Sequence, residues 1–384
     1  MSDLYFTLFS FCISFDFFIV FSIFDFKIVS FINQYHYIYS VDFQKFKNMK
    51  VFRFIFLLII LPVAFGSCNK RNRFAIDTQK DRVVVKIHRF DRAQINLDTL
   101  HLNASMKSLY KNFPEFIPQF CTDILDTNYA DTTVVSNLML KFLRDTTFSK
   151  VNRKEMSVFN DISGIESRVS DAFTYIHHYF PTVHLPEVYF YVSGFNRQVI
   201  LNDKFIGLGT DLYLGNDYSL YQSFTYQDLQ YNMRPESVPV DLVSATLFRM
   251  FVMNSSQDRL LDNMIFRGKI MYLLSVFMPD EKPENIMGYT PKQWKWCEKY
   301  ERQIWGSIID QKYLFSTDVL LIRKFMNEAP FTAPVSQDSP GRLGTWVGWQ
   351  IVKNYMNNNS KQTIQNLMNQ NDAQKILEDS GYRP

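Results

Sequence analysis

The sequence predicts an α+β fold, a single helix-rich domain built around a small β-sheet. Three observations lead there. Short segments at 82–90, 187–193 and 199–208 are rich in β-branched and aromatic residues and partly alternate apolar with polar. Longer stretches, at 100–143, 163–180 and from Val240 onward, repeat apolar residues at helical spacing. No internal repeat or low-complexity linker interrupts Arg82–Pro384, so that span is expected to be one domain.

Taken in order, Arg82–Phe90 (RVVVKIHRF) alternates and reads as a strand. Between Leu100 and Leu143, residues such as Leu109, Phe113, Phe116, Ile117, Phe120, Ile124 and Leu125 recur in steps that suit one helix face. Pro114 and Pro118 punctuate this run and predict two short helices, because proline removes an amide donor and clashes with the preceding turn. Ser163–Phe180 is the next helix, ended by Pro181 and Pro186. Glu187–Ser193 (EVYFYVS) and Val199–Leu208 form a pair of strands joined around Gly194 and Asn202-Asp203. The remainder is mostly helical, with a loop over Ala329–Gly344.

The chain has 384 residues, 47% of them hydrophobic, which is ample for a sizeable core. Its 41 basic residues against 38 acidic ones leave a net charge of +3. That balance argues against a nucleic-acid partner, which demands a dense basic face. Cys12, Cys68, Cys121 and Cys297 show no CxxC spacing, so neither a disulfide framework nor a cysteine zinc site is indicated. Cys121 and Cys297 are open to two readings, a disulfide in an oxidising compartment or two buried free thiols.

The first 48 residues differ from the rest. They contain no Gly, Ala, Pro, Arg, Trp or Glu, a list that fits translated non-coding DNA better than a folded segment. Residues 1–48 are therefore read as a mis-called extension, with Met49 as the start. The competing reading, a membrane span over about Tyr5–Phe24, places Asp16 at its centre, where a charge is costly. From Met49 a basic n-region (Lys50, Arg53), the apolar run Phe54–Val63 and the small-residue stretch up to Ser67 make a secretory signal peptide, residues 49–67. Cys68, directly after Gly66-Ser67, resembles a lipobox cysteine and is the expected lipidation site, despite Phe65 where leucine is usual. Acyl chains would hold the mature chain on a bilayer through a polar tether, residues 68–81, with residues 82–384 as the folded domain. The basic stretch Lys70-Arg71-Asn72-Arg73 lacks acidic export signals, so a periplasm-facing position on the outer membrane is expected.

Candidate chemistry is sparse. His177, His178 and His184 suggest a metal, but adjacent helical side chains diverge by about 100°, and basic groups at a helix C-terminus are favoured without one. Gly207–Asp217 carries Asp211 and Asp217 without the carboxylate density of a calcium loop. HExxH, GxSxG, GxxxxGK[ST] and GxGxxG are all absent. The aromatics of Trp294–Trp305 suit core packing first and polymer stacking second.

Several segments together resemble the gliding-motility lipoprotein GldB family. These are the lipobox with its basic flank, Val85–Asp91, Phe113–Phe116, Tyr179-Phe180-Pro181, Gly209–Asp217, Leu261–Leu274, Gly288–Pro291 and Gly341–Met356. The resemblance implies an envelope lipoprotein that works through motility, secretion or other envelope proteins, with no cofactor. A second, weaker resemblance is to predicted zinc peptidases of zincin type. Their metal helix would fall in Leu242–Met253, with Ala245, Thr246 and Arg249 over the HExxH positions and Arg267 over the third ligand. Zinc requires lone-pair donors, and arginine has none, so the resemblance implies an inactive, zincin-like pseudoenzyme without a metal. Asp241, Asp258 and Asp262 are the candidate partners of the two arginines. Two other functions stay open: an envelope metallopeptidase with divergent ligands among the three histidines, and a module binding peptidoglycan or another envelope polymer.

Overall fold

Both faces of the sheet are covered by helices, which is why its two central strands are almost wholly apolar. A computed structural model describes residues 73–255 and 257–384; Cys68 and the segments 1–48 and 49–67 lie outside the described residues. Strands β1 (Ile87–Arg89), β2 (Glu187–Tyr191), β3 (Val199–Leu201) and β4 (Phe205–Gly209) lie in the order β1-β2-β4-β3. The first two and β4 run parallel, with Ile87 opposite Val188 and Glu187 opposite Phe205. β3 is an antiparallel edge, Val199 opposite Leu208. With this sheet and its many helices the fold is the α+β class expected.

Between β1 and β2 come α1 (Phe90–Ile95), α2 (Leu102–Asn112), α3 (Ile117–Asp123), α4 (Thr132–Arg144), α5 (Thr146–Val158) and α6 (Ser163–Tyr179). After β4 follow α7 (Gln227–Gln230), α8 (Val238–Met250), α9 (Leu260–Phe277), α10 (Pro283–Met287), α11 (Pro291–Asp310), α12 (Val319–Met326), α13 (Leu343–Asn358), α14 (Ile364–Asn369) and α15 (Ala373–Ser380). The period of two in β2 divides the core. Val188 and Phe190 enter the main cluster with α6, α8, α9 and α13, whereas Tyr189 and Tyr191 join Phe90, Phe116 and Phe120 in a smaller one.

α9 is apolar around most of its circumference and is buried to match. It crosses α13 at Gly268 and Gly348. A Cβ on Gly348 would lie 1.8 Å from the Met264 carbonyl oxygen, and one on Gly268 would lie 2.3 Å from Gly348. The two backbones therefore touch directly, which only glycine permits.

Three expectations need correction. The strand expected over 82–90 is only Ile87–Arg89, because the amides of Val83, Val85 and Ile87 donate instead to the side chains of Thr174, Ser170 and Glu166 on α6, at 3.0, 2.9 and 3.0 Å. The helical run of 100–143 makes three helices, not two. Asp131 starts the third by accepting from the Val134 amide. Val199–Leu208 is two strands, because the Asn202 side chain accepts from the Lys204 and Phe205 amides and turns the chain back.

Residues 73–81, expected to belong to the tether, are partly docked. Arg73 Nη1 donates to the Ser360 carbonyl at 2.6 Å, and Phe74 is buried with its ring edge-on to Tyr179 and Tyr272. Cys121 and Cys297 are free, buried thiols. Among the described residues no helix is long and apolar enough to cross a membrane.

Candidate functional site

The segments with the peptidase-like resemblance are α8, α9 and the start of α13. Pro239 opens α8, with Asp241 in its first turn and Arg249 in its last, each where the helix dipole favours its charge. Thr246 is buried, and its hydroxyl donates back to the Leu242 carbonyl at 2.8 Å. Ala245 is half-buried and packs against the main core.

The two arginines serve different neighbours. Arg249 donates through Nη1 to the Asp203 carbonyl at 2.7 Å and through Nη2 to the His184 carbonyl at 2.5 Å. It thus ties the end of α8 to the chain just before β2 and to the β3–β4 turn. Burial lowers its pKa, yet two carbonyl acceptors and its own exposure are enough to keep it charged. Arg267 lies 5.5 Å over the Phe248 ring. Burial, then the positive charge of Arg342, lowers its pKa, and Glu328 opposes the shift. Among the described residues no carboxylate pairs with either arginine. Asp262 is held by Arg259, and Asp258 accepts from Asn263.

Asp241 is the centre of a polar cluster. Tyr213 donates to its Oδ2 at 2.7 Å, and Gln198 Nε2 reaches the Tyr213 oxygen at 2.6 Å and Asp241 Oδ2 at 3.3 Å. Burial raises the Asp241 carboxyl to about 6, while the Tyr213 hydrogen bond and the Arg342 charge act the other way. Arg342 stands in the left-handed conformation just before α13, with φ 57°, pairs with Glu328 at 3.0 Å and donates to the Met287 carbonyl. Arg267, Arg342, Glu328 and Asp241 therefore make one electrostatic neighbourhood that joins α8, α9 and α13. Tyr213, Gln198, Glu328 and Arg342 were not singled out from the sequence. Tyr213 and Arg342 do fall inside two of the family-like segments, which is the one signal that pointed at them.

Chemically the cluster offers cations, amides and a weakly acidic carboxyl. Among the described residues no three His, Cys, Asp or Glu side chains come together at a spacing to hold a metal ion. His177, His178 and His184 are each exposed; the first two line an open cleft with Asp77 and Asp81. Asp211 is fully buried and accepts from the Ser193 amide at 2.8 Å, the Ser193 hydroxyl at 3.0 Å and the Phe195 amide at 2.6 Å. It pins the turn after β2, where Gly194 and Phe195 both have positive φ. Asp217 is exposed. Trp294 packs against Trp346 and Trp349, and Trp305 against Tyr382, so this stretch of α11 contributes to packing.

No curated protein and no solved structure matches the chain. A family model described as gliding motility protein GldB matches residues 71–384, a span that includes every described element, α8, α9 and α13 among them. The chain belongs to that family, a family of gliding-motility-related lipoproteins and not a known enzyme family.

Proposed function

We propose that this protein is a non-catalytic lipoprotein, anchored through Cys68 on the periplasmic face of the outer membrane. It acts by protein–protein contact in envelope assembly or in the gliding-motility and secretion machinery. The family match over residues 71–384 carries this reading. The chemistry of the peptidase-like positions supports its non-catalytic half: Ala245 has no donor, the Thr246 hydroxyl is occupied by Leu242, and Arg249 and Arg267 have no lone pair to give a metal.

The anchor is tested by labelling cells with a fatty-acid probe and fractionating their membranes. Cys68→Ser is expected to abolish label and release the protein from the outer-membrane fraction. Unchanged label would refute lipidation at Cys68. Crosslinked capture of the tagged protein is expected to bring down motility or secretion components. Stoichiometric zinc in the purified protein would overturn the pseudoenzyme reading and favour divergent ligands.

A further inference from the structure

α9 carries Lys269 into a small pocket between the loop 251–255 and the junction of α14 with α15. The side chain is 5% exposed, and its ammonium donates to the Gln370 carbonyl. An ammonium has three protons to place, and a buried one is costly without acceptors and an opposite charge. Among the described residues no carboxylate pairs with it. Asp262, the acid that lines the same pocket, is already committed, since it accepts from the Arg259 amide and Nε at 2.9 Å and from Arg259 Nη2 at 3.1 Å. The cavity measures about 50 Å³, room for a two-oxygen head group rather than a hydrated polyanion. Phe251, Phe266 and Met368 supply apolar wall, whereas Ser255 and Asn371 supply polar rim.

We propose that this pocket binds a carboxylate, from a small organic acid or from a peptide chain end, with the Lys269 ammonium as its counter-ion. The site is separate from the Asp241 cluster and depends on neither the anchor nor the motility role. A bound carboxylate accepts the two protons that Gln370 leaves unused and replaces the hydration lost on burial. The apolar walls favour a short hydrocarbon behind it over chloride. The ammonium must be protonated. Burial lowers its pKa to about 8, and the ligand must itself be ionised, so occupancy is greatest between the ligand's own carboxyl pKa, about 4 to 5, and about 8, and falls on either side.

Calorimetric titration of the full chain with sodium acetate, sodium propionate and free-acid trialanine tests this. Trialanine amide and sodium chloride at matched ionic strength are the controls. Saturable binding of at least one carboxylate, weakened tenfold or more in Lys269→Met, is expected, with no response to the amide or to chloride. Tenfold tighter binding of trialanine than of acetate identifies a chain end; equal or weaker binding identifies a small acid. Failure of all three carboxylates to bind, equal binding by chloride, or undiminished binding by Lys269→Met each overturns the proposal. Should Lys269→Met not fold, Asn371→Asp puts a carboxylate in the pocket lining and is expected to abolish acetate binding; wild-type acetate affinity in that variant refutes the site.

Discussion

Replacing Gly348 with alanine tests the packing that organises the C-terminal half. The new Cβ would sit 1.8 Å from the Met264 carbonyl oxygen and 2.5 Å from its carbon, both backbone atoms that no rotamer change can move. An unstrained C···O contact is about 3.3 Å, so α9 and α13 would have to part by roughly 1.5 Å at the crossing. A radial gap of even 0.5–1 Å forfeits about a quarter to a half of each dispersion contact it opens, and overpacking of a fitted core costs about 1–3 kcal/mol or somewhat more. Alanine returns about 1 kcal/mol through helix propensity. The net loss expected is about 2 kcal/mol, which at about 2.1 cal/mol/K of unfolding entropy per residue lowers Tm by only about 3 °C for a domain of this size. Gly306, inside α11, provides the opposite control: nothing lies within 4 Å of its Cβ position, so Gly306→Ala is expected to stabilise by about 0.5–1 kcal/mol. Urea unfolding of the three proteins, followed by circular dichroism, decides between them. If Gly348→Ala is as stable as the parent, or if both substitutions shift the midpoint alike, the close crossing is wrong.

Other outcomes follow from single side chains. Arg249→Lys is expected to destabilise by about 1–3 kcal/mol, because an ammonium cannot span the Asp203 and His184 carbonyls as the planar fork does; an unchanged denaturation midpoint would remove Arg249 as a strap. Glu155, on α5, is fully buried. Burial, then the neighbouring Asp91, raises its carboxyl from 4.5 to about 8, against the opposing charges of Arg92 and Arg89. The folded chain thus keeps a proton that the unfolded chain loses, so the stability Glu155 contributes is complete below about pH 4.5 and is lost as the pH rises toward 8. Glu155→Gln is expected to flatten that decline, and a parallel pH–stability curve would refute it. Burial pushes the Cys121 thiol up to about 11 and raises Cys297 as well, so a thiol reagent is expected to leave both untouched in native protein at pH 8 and to label both in denaturant.

Elements with a strong local signature were legible in the sequence. β2 reads as a buried strand in Glu187–Ser193, and Pro181 with Pro186 marks the close of α6. Arg82–Lys86 was not legible as anything but strand, since the same alternation serves an extended chain whose amides are taken by Glu166, Ser170 and Thr174, some 80 to 90 residues further on. The candidate site divides in the same way. Ala245, Thr246, Arg249 and Arg267 sit on contiguous segments and were found by resemblance, whereas Gln198, Tyr213, Glu328 and Arg342 meet Asp241 only through the tertiary fold. No local pattern announces that meeting. Nor does any announce that Arg249 and Arg267, 18 positions apart, find separate neighbours.

The side chains of α6 that capture the chain ahead of β1 also decide how copies of this protein can join. Sheet margins grow by lending unpaired donors to an incoming strand, the route to fibres and exchanged dimers. On the β1 margin the alternate amides of Val83, Val85 and Ile87 are already spent on a helix, so that border has none of these three donors to lend. Among the described residues the other sheet margin is the β3 border, whose three residues, Val199–Leu201, are too few to hold a foreign strand for long.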